Sequence, residues 1–375
     1  MQRPLYIICM LLILLGSSCK REKNKTDNTL SSTIEYAKGF SIQTDHPDYR
    51  ILTLNNPWDN YSESKRFYLV NDKKIETPAD GTKIITPISS IMVNSATYLG
   101  FIELLDELDK VTGVCNANYI YNPTIIRGVA NNKIKDLGDS FNLNQEELLL
   151  LQPELIITTA YNGDDREEEL FNRIGLEALF ATEWQEQSLL SRAEWIKCIG
   201  ILFNKEEMAD SLFTTIKTNY ERAADLTKEI THRPSVLSGQ DFRGTWSMPS
   251  GSSYSAELFK MAQLDYHYHN NMQFQGSIPS SIEEALVYFN EADLWLFTQE
   301  DSLSDLASAN DKYNLFKAFK TGNVFNTNKR KNEVGGNDYW EMGVARPDLL
   351  LKDVIKAAHP HLLPDYELTF MDKLK

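Results

Sequence analysis

Aromatic residues and one arginine, in loops that follow short apolar strands, are the side chains of this sequence best suited to hold a ligand. Arg243 and Trp246 lie in the segment Asp241–Met248, directly after a strand-like run at 235–239. Flat rings stack on planar, partly apolar molecules, and a guanidinium pairs with carboxylate or phosphate groups. Strands of an α/β layer end at a common edge, where ligands usually bind. Burial in a core is the competing interpretation for each ring. The residues that we expect to line such a cleft are Tyr98, Tyr161, Arg243, Trp246, Tyr339 and Trp340.

Histidines and common catalytic motifs give no sign of a reactive centre. His267 and His269 alternate along a strand-like run and would face the same side, where they could bind an ion, but two solvated histidines is the interpretation we favour. The chain contains no HExxH, GxSxG, P-loop or GxGxxG pattern. We therefore predict a protein that is not an enzyme, with no metal site and no cofactor. A lipid-anchored enzyme remains the alternative.

Residues 1–18 have the pattern of a bacterial lipoprotein signal. A basic start at Arg3 precedes an apolar run of 11 residues, Leu5–Leu15, which is shorter than the roughly 20 residues of a membrane-spanning helix. Three small residues then lead directly to Cys19. We expect lipidation of Cys19, removal of the signal, and export to the periplasm or the cell exterior. The leucine of the usual pattern lies one place early, so an ordinary secretory signal is the alternative.

Residues 19–39 are polar and rich in charged residues, Asn, Ser and Thr. Such a segment buries too little apolar surface to offset its ordering entropy, and we expect a flexible tether that spans about 25 Å. No later segment is apolar enough to cross a membrane.

The formal charge of −15 limits the partners of the chain. It disfavours nucleic acid, whose phosphates need a basic surface, and it disfavours adhesion to anionic lipid. After processing, Cys115 and Cys198 remain, without CxxC spacing and in different predicted elements. Buried thiols are therefore favoured, although a disulfide stays open in an exported protein.

Short strands that alternate with helices predict two α/β lobes with parallel sheets. In the first lobe, Asn144 followed by Glu147 predicts a helix start, and Leu155–Thr159 predicts a buried strand. Between the lobes, a helix from Asn204 to about Glu229 carries an apolar stripe and would measure roughly 38 Å. The predicted organisation is a signal at 1–18, a lipidated tether at 19–39, a β-rich extension at 40–85, a first lobe at 86–187, a helical segment at 188–230 and a second lobe at 231–375.

In their order and spacing, several fragments resemble the substrate-binding lipoproteins of ABC importers for iron chelates, haem and corrinoids. The resemblance covers residues 86–363. It rests on VNSATYLGFIELL at 93–105, LGD at 137–139, EELL at 146–149, LQPELI at 151–156, Trp246 with PSGSSY at 249–254, IEEALVYFNEADLWL at 282–296, and His359 with Pro360. Ala292 stands where the family usually has proline.

The resemblance implies two lobes joined by a rigid helix, a shallow cleft between them, and delivery of an iron siderophore, haem or a corrinoid to a permease coupled to an ATPase. It also implies that acidic residues on the lobe tips dock on the permease. The candidates are Asp164, Asp165, Glu283 and Glu284. A scaffold without a transport role is a further alternative. The extension at 40–85 has no role assigned by the resemblance.

Overall fold

The computed structural model describes residues 34–161, 166–273 and 276–375. The expected signal at 1–18 and the lipidation site Cys19 lie outside the described residues, as do Asp164 and Asp165. No helix in the described part of the chain is long and apolar enough to span a membrane.

The N-terminal extension, residues 40–85, folds as a four-stranded sheet. Its strands are β1 (Phe40–Gln43), β2 (Tyr49–Asn56), β3 (Ser62–Val70) and β4 (Thr82–Ile85). They lie in the order β1-β2-β3-β4, with antiparallel pairs except for the parallel pair β3–β4. Leu52, Phe67 and Leu69 join the core of the first lobe, so the predicted β-rich extension is packed onto that lobe.

The first lobe is built on a five-stranded parallel sheet in the order β11-β10-β5-β6-β7. Neighbouring residues of its strands enter different cores: Ile156 packs on one face of the sheet and Ile157 on the other. This burial on both faces explains the continuous apolar runs in the sequence. The elements are β5 (Ile91–Val93), α1 (Thr97–Leu104), β6 (Val111–Val114), α2 (Pro123–Ala130), β7 (Lys135–Asp136), β8 (Gly138–Asp139), β9 (Asn142–Leu143), α3 (Gln145–Leu151), β10 (Leu155–Thr159), α4 (Arg166–Ile174) and β11 (Ala178–Ala181).

Three helices connect the lobes: α5 (Leu189–Ala193), α6 (Trp195–Gly200) and α7 (Glu206–Asp225). The 20 residues of α7 give a length of about 30 Å, shorter than expected because the helix ends at Asp225. Phe213 of α7 lies in the first-lobe core, and Tyr220 lies in the second-lobe core. One helix therefore supports both lobes, as predicted.

The second lobe contains a four-stranded sheet in the order β12-β16-β17-β18 and an antiparallel sheet β13-β14-β15. In the first sheet β12, β16 and β17 are parallel and β18 is antiparallel. The elements are β12 (Val236–Ser238), β13 (Asp241–Phe242), β14 (Thr245–Pro249), α8 (Tyr254–Met261), β15 (Ser277–Ser280), α9 (Ile282–Phe289), β16 (Leu294–Thr298), α10 (Leu303–Ala309), α11 (Lys317–Lys320), β17 (Val324–Asn326), α12 (Met342–Ala345), α13 (Pro347–Ala358) and β18 (Asp372–Lys373).

One predicted strand is absent, and the state of the two cysteines is the one that the sequence analysis favoured. The run Tyr266–His269 is a turn, closed by a hydrogen bond from the His269 N–H to the Tyr266 carbonyl, so His267 and His269 do not alternate along a strand. Cys115 and Cys198 are both buried and free, which answers the question of a disulfide between them.

Residues 34–39, expected to belong to the flexible tether, are instead held against the lobes. The fully buried carboxylate of Glu194 accepts the backbone N–H groups of Glu35, Tyr36 and Ala37 at 2.7–2.9 Å. Glu186 accepts those of Lys38 and Gly39. The tether prediction is therefore wrong for residues 34–39, because buried carboxylates accept the backbone N–H groups of residues 35–39 and Ile34 packs against the first-lobe core.

Candidate ligand-binding cleft

The loops after β5, β6 and β10 meet at one edge of the first-lobe sheet, because parallel strands share a direction. They line a cavity of about 430 Å³. Asn94 and Ser95 enter it after β5, and Tyr161 enters it after β10. The opposite wall is formed by Phe141 and the first turn of α4. A cavity therefore lies at the carboxyl ends of the strands, where the sequence analysis expected the ligand to bind.

Asn94 supplies a free hydrogen-bond acceptor at the floor of this cavity. Its side-chain nitrogen donates to Thr158 Oγ1 at 2.7 Å and to Glu167 Oε1 at 3.2 Å. Its Oδ1 is buried and has no hydrogen-bond partner in the part of the chain that the structure describes. A buried acceptor without a donor is costly, and a ligand N–H or O–H group would satisfy it.

Four aromatic rings follow one another along the cleft. Phe141 and Tyr161 have centroids 5.7 Å apart, Tyr161 and Trp184 5.8 Å, and Trp184 and Trp58 6.1 Å. The exposed fractions are 77% for Phe141, 46% for Tyr161 and 36% for Trp184, while Trp58 is half-buried. We call these four residues the aromatic strip. Its rings keep surface free for a ligand.

Sequence reasoning identified Tyr161 and missed the other three members of the strip. Trp184 follows β11, a strand that the sequence analysis did not assign, although the apolar run Ala178–Ala181 after the turn at Gly175 was a usable signal. Phe141 lies in a loop between two-residue strands, and Trp58 lies in the extension; neither position has a local pattern that marks it as a cleft residue.

A second cavity, of about 570 Å³, lies where the extension, the loop after β11 and the second lobe meet. Its aromatic walls are Trp58 and Tyr61 from the extension, Trp184 from the first lobe and Tyr254 from the second lobe. The remaining lining is mostly serine and glutamine. Trp184 faces this cavity and contacts the Tyr161 ring of the first one, so the two cavities are neighbours.

A third cavity, of about 360 Å³, lies directly between the lobes. Ser95 and Tyr119 of the first lobe face Asn328, Lys331 and Trp340 of the second. Ser95 and Tyr119 also line the first cavity, so both belong to one cleft. Trp340 is 57% exposed and was predicted to line the cleft; the structure places it on this wall.

Tyr98 was predicted to contact ligand, but its ring is buried in the first-lobe core. Its hydroxyl donates to Glu183 Oε2 at 3.0 Å and lies 3.0 Å from Thr159 Oγ1. Burial raises the pKa of Tyr98 well above its ordinary value, so the phenol is neutral. The prediction is wrong for Tyr98 because its ring faces inward from α1; its contact fixes Glu183.

Glu183 belongs to a buried ion pair at the base of the cleft. Arg192 Nη2 lies 3.7 Å from Glu183 Oε1, and the guanidinium of Arg192 lies 4.8 Å from the ring centroid of Tyr254 in the second lobe. Burial raises the pKa of Glu183, and Arg192 opposes this effect. The contacts tie the inter-lobe helix α5 to both walls.

Trp246 was predicted to line the cleft and is fully buried instead. Its indole N–H donates to the Ser238 carbonyl at 2.8 Å, and its ring stacks on Trp295 with centroids 5.7 Å apart. Tyr313 and Phe316 pack edge-on against it. The prediction is wrong because β14 turns this side chain into the second-lobe core, where a ligand has no access.

The other predicted contacts are dispersed. Arg243 lies on the exposed hairpin between β13 and β14, with its guanidinium 5.1 Å from the Phe242 ring, and it lines none of these three cavities. Tyr339 is half-buried, contacts the Phe297 and Trp340 rings, and has its pKa raised by burial. Of the six predicted contacts, all of which lie in the described part of the chain, Tyr161 and Trp340 line one of these three cavities.

The acidic residues of the second lobe lie at the start of α9. Glu283 pairs with Lys312, which lowers the pKa of Glu283. Glu284 is exposed and accepts a hydrogen bond from Ser280 Oγ at 2.9 Å. Over the described residues, no group of three or more His, Cys, Asp or Glu side chains is placed to hold a metal ion.

Comparison with known proteins identifies relatives that cover most of the chain. The model of the family described as periplasmic binding protein matches residues 91–330. An uncharacterized lipoprotein of Methanocaldococcus jannaschii is 24% identical over 395 residues, which is 94% of this chain and 92% of the relative.

Two solved structures illustrate the fold. The chain is similar to CeuE of Helicobacter pylori with Ni(II) bound, at a TM-score of 0.57, 17% identity, and coverage of 79% of this chain and 92% of that one. It is also similar to the molybdate-bound MolA of Haemophilus influenzae, at a TM-score of 0.56, 17% identity, and coverage of 75% of this chain and 89% of that one. At these identities the likeness concerns the fold.

Proposed function

The chain belongs to the periplasmic binding protein family, and from this premise we propose that it captures an iron siderophore, haem or a corrinoid and delivers it to a membrane permease. Proteins of this family bind substrates for ABC importers, and the chain is therefore a binding protein and not an enzyme. A permease with its ATPase is the partner that this role requires.

The aromatic strip is the observation that supports a bulky, flat ligand. Rings that are fully packed into a core offer no face to a ligand, whereas Tyr161 and Trp184 remain 46% and 36% exposed. Exposed rings in series provide apolar contact over an extended surface, which suits a conjugated macrocycle or a chelate with aromatic arms. The unpaired Oδ1 of Asn94 beside Tyr161 supplies a specific polar contact for the same ligand.

The ligand class is tested by visible absorption. The fragment 31–375 is incubated separately with cyanocobalamin, haemin and a panel of ferric siderophores and is then desalted. Nickel(II) with histidine and molybdate, measured by elemental analysis, extend the panel because similar structures carry Ni(II) and molybdate. We expect one chromophore to be retained at a near-equal molar ratio. Retention of none of the chelates, or chemical turnover of any of them, would contradict the proposal.

The fragment begins at residue 31 for a structural reason. A fragment beginning at residue 40 would remove the backbone N–H groups that Glu194 and Glu186 accept. The buried Glu194 would then keep only Lys197, at 3.1 Å, among the contacts described for it. Loss of binding in such a fragment would therefore report damage to the fold.

Anchoring and docking complete the proposal. Cys19 is proposed as the lipid attachment site; Cys19→Ala should leave the domain folded and release it from membranes.

We also propose that acidic residues dock on basic residues of the permease, namely Glu283, Glu284, Asp164 and Asp165. Because Glu283 is already paired with Lys312, charge reversal at Glu284 is the sharper test. Unchanged transport by Glu284→Lys together with Asp165→Lys would show that other residues dock on the permease.

A further inference from the structure

We propose that the N-terminal extension is part of the ligand site, and that Trp58 and Tyr61 close a second compartment that binds an uncharged ring bearing hydroxyl or amide groups. The inference rests on the proposed function, because it treats the second cavity as one end of the binding cleft. The extension lies outside residues 91–330, the part of the chain that the family model matches.

The turn that presents Trp58 and Tyr61 has a defined and costly conformation. Asn56 Oδ1 accepts the Trp58 N–H at 2.9 Å and starts a single 3-10 turn, Pro57–Asp59. Asn60 and Tyr61 follow with φ of 50° and 57°. Left-handed backbone is uncommon for a bulky residue, and such conformations concentrate where a side chain must be aimed. Here it directs the Tyr61 ring toward the cavity.

The extension holds this turn firmly against the rest of the molecule. The Arg50 guanidinium pairs with Glu206 at the start of α7 and donates to Asn204 Oδ1 at 2.6 Å. The Phe40 ring packs edge-on against Trp195 of α6, with centroids 5.0 Å apart. A wall anchored to the inter-lobe helices is preorganised and needs little ordering when a ligand binds.

The lining of the compartment identifies the chemistry that it accepts. Among the described residues that line it, Glu186 is the one carboxylate and none is Lys, Arg or His. This carboxylate already accepts the N–H groups of Lys38 and Gly39 and the indole N–H of Trp195. The other polar groups are uncharged hydroxyls and amides. They belong to Ser247, Ser252, Ser253, Ser255, Ser277, Gln185 and Gln187.

Rings and uncharged hydrogen-bonding groups together fit one class of ligand. Trp58, Trp184 and Tyr254 give flat apolar faces, and the serines and glutamines both donate and accept. A saccharide ring or a carboxamide-bearing ring presents the matching surface, with an apolar face and neutral polar edges. A volume of about 570 Å³ is ample for one such ring.

The compartment is tested without the full ligand by saturation-transfer NMR. The fragment 31–375 is mixed with N-acetylglucosamine or nicotinamide, both neutral probes, and with glucuronate as a charged counterpart. We expect transfer to at least one neutral probe and weaker transfer to glucuronate. Trp58→Ala should abolish the transfer. Tyr49→Ala is the matched control, because Tyr49 is an aromatic residue of the same sheet that stacks on His46 and does not line the compartment. No transfer to the wild type, or equal transfer to Trp58→Ala, overturns the compartment.

A second measurement separates this inference from the proposed function. The affinity for the chromophore retained in the absorption panel is compared between the wild type and Trp58→Ala, and we expect a loss of about tenfold, or about 1.4 kcal/mol. Equal affinities overturn the role of the extension and leave the proposed function intact. Transfer to the neutral probes without retention of any chromophore supports the compartment and contradicts the proposed function.

Discussion

Two series of aromatic rings in this molecule have similar spacing and different surroundings. The buried series lies in the second lobe and consists of Trp246, Trp295, Tyr313 and Phe316, with centroids 5.2–5.9 Å apart. The aromatic strip lies along the cleft, with centroids 5.7–6.1 Å apart. Ring spacing alone therefore does not reveal a binding site. What differs is access, since Trp246 is fully buried and Trp184 is 36% exposed.

The difference in access follows from where each tryptophan lies on its sheet. Trp246 lies within β14, which pairs with β13 on one side and with β15 on the other. Burial alternates along this strand, and the Trp246 side chain is on the face that packs into the second-lobe core. Trp184 lies in a short turn beyond the end of β11, where the sheet edge meets solvent. The same residue type is structural in the first setting and available for binding in the second.

The largest expected effect is on stability, from Trp246→Ala. Removing a fully buried indole leaves a cavity and should reduce the free energy of unfolding by roughly 3–5 kcal/mol. It also leaves the Ser238 carbonyl without the indole donor. Urea unfolding followed by circular dichroism measures the change. A variant that unfolds at the wild-type midpoint would break the distinction between the two series.

Trp184→Ala should have the opposite profile. Its exposed ring is expected to contribute to binding, so the affinity for the retained chromophore should fall about tenfold, or about 1.4 kcal/mol. The cost in unfolding free energy should stay near 1 kcal/mol, because the loss is a half-exposed ring and one hydrogen bond to the Ala160 carbonyl. Titration calorimetry and urea unfolding of the same preparation separate the two quantities. Unchanged affinity would remove Trp184 from the site.

Alkaline pH should distinguish the two series through their tyrosines. Burial raises the pKa of Tyr313 to about 12, above its ordinary value of 10.0. The neutral phenol is favoured in the folded state, so its contribution to the free energy of unfolding is complete below pH 10 and is lost as the pH rises toward 12. Tyr313→Phe should therefore reduce the alkaline loss of unfolding free energy, by about 1 kcal/mol.

Tyr161→Phe provides the comparison for this titration. Burial also raises the pKa of Tyr161, but the side chain is 46% exposed. This variant should therefore change the slope of unfolding free energy against alkaline pH less than Tyr313→Phe does. Urea unfolding at a series of pH values between neutral and strongly alkaline measures both slopes. The reverse order of the two variants would contradict the assignment of Tyr313 to the more buried series.

The smallest effect is expected at the outer end of the strip. Phe141 is 77% exposed, so Phe141→Ala should change the unfolding free energy by no more than about 0.5 kcal/mol. Its affinity for the retained chromophore should fall only about threefold, because a ring at the rim stays partly solvated. A loss greater than that of Trp184→Ala would place the centre of the site in the first-lobe cavity and not at Trp184.

Local patterns were reliable where they depend on short-range contacts. Asn144 caps α3 through a hydrogen bond from the Glu147 N–H, and Ser281 caps α9 in the same way through Glu284. The buried strands β10 and β16 follow the predicted apolar runs. Patterns failed where a distant partner decided the outcome. The run Tyr266–His269 has strand-like residues but no strand to pair with, and it forms a turn that packs beside α9.

The sequence alone determined the alternation of strands and helices, the two lobes, the inter-lobe helix and the family resemblance, because these depend on apolar periodicity, capping residues and motif order. Only the tertiary structure decided which aromatic residues face the cleft, since Tyr98 and Trp246 enter cores while Trp58 and Trp184 do not. The structure alone also showed that residues 34–39 dock on buried carboxylates. Burial is a property of packing between distant segments, and no local pattern in a single chain encodes which face of a ring will stay open to solvent.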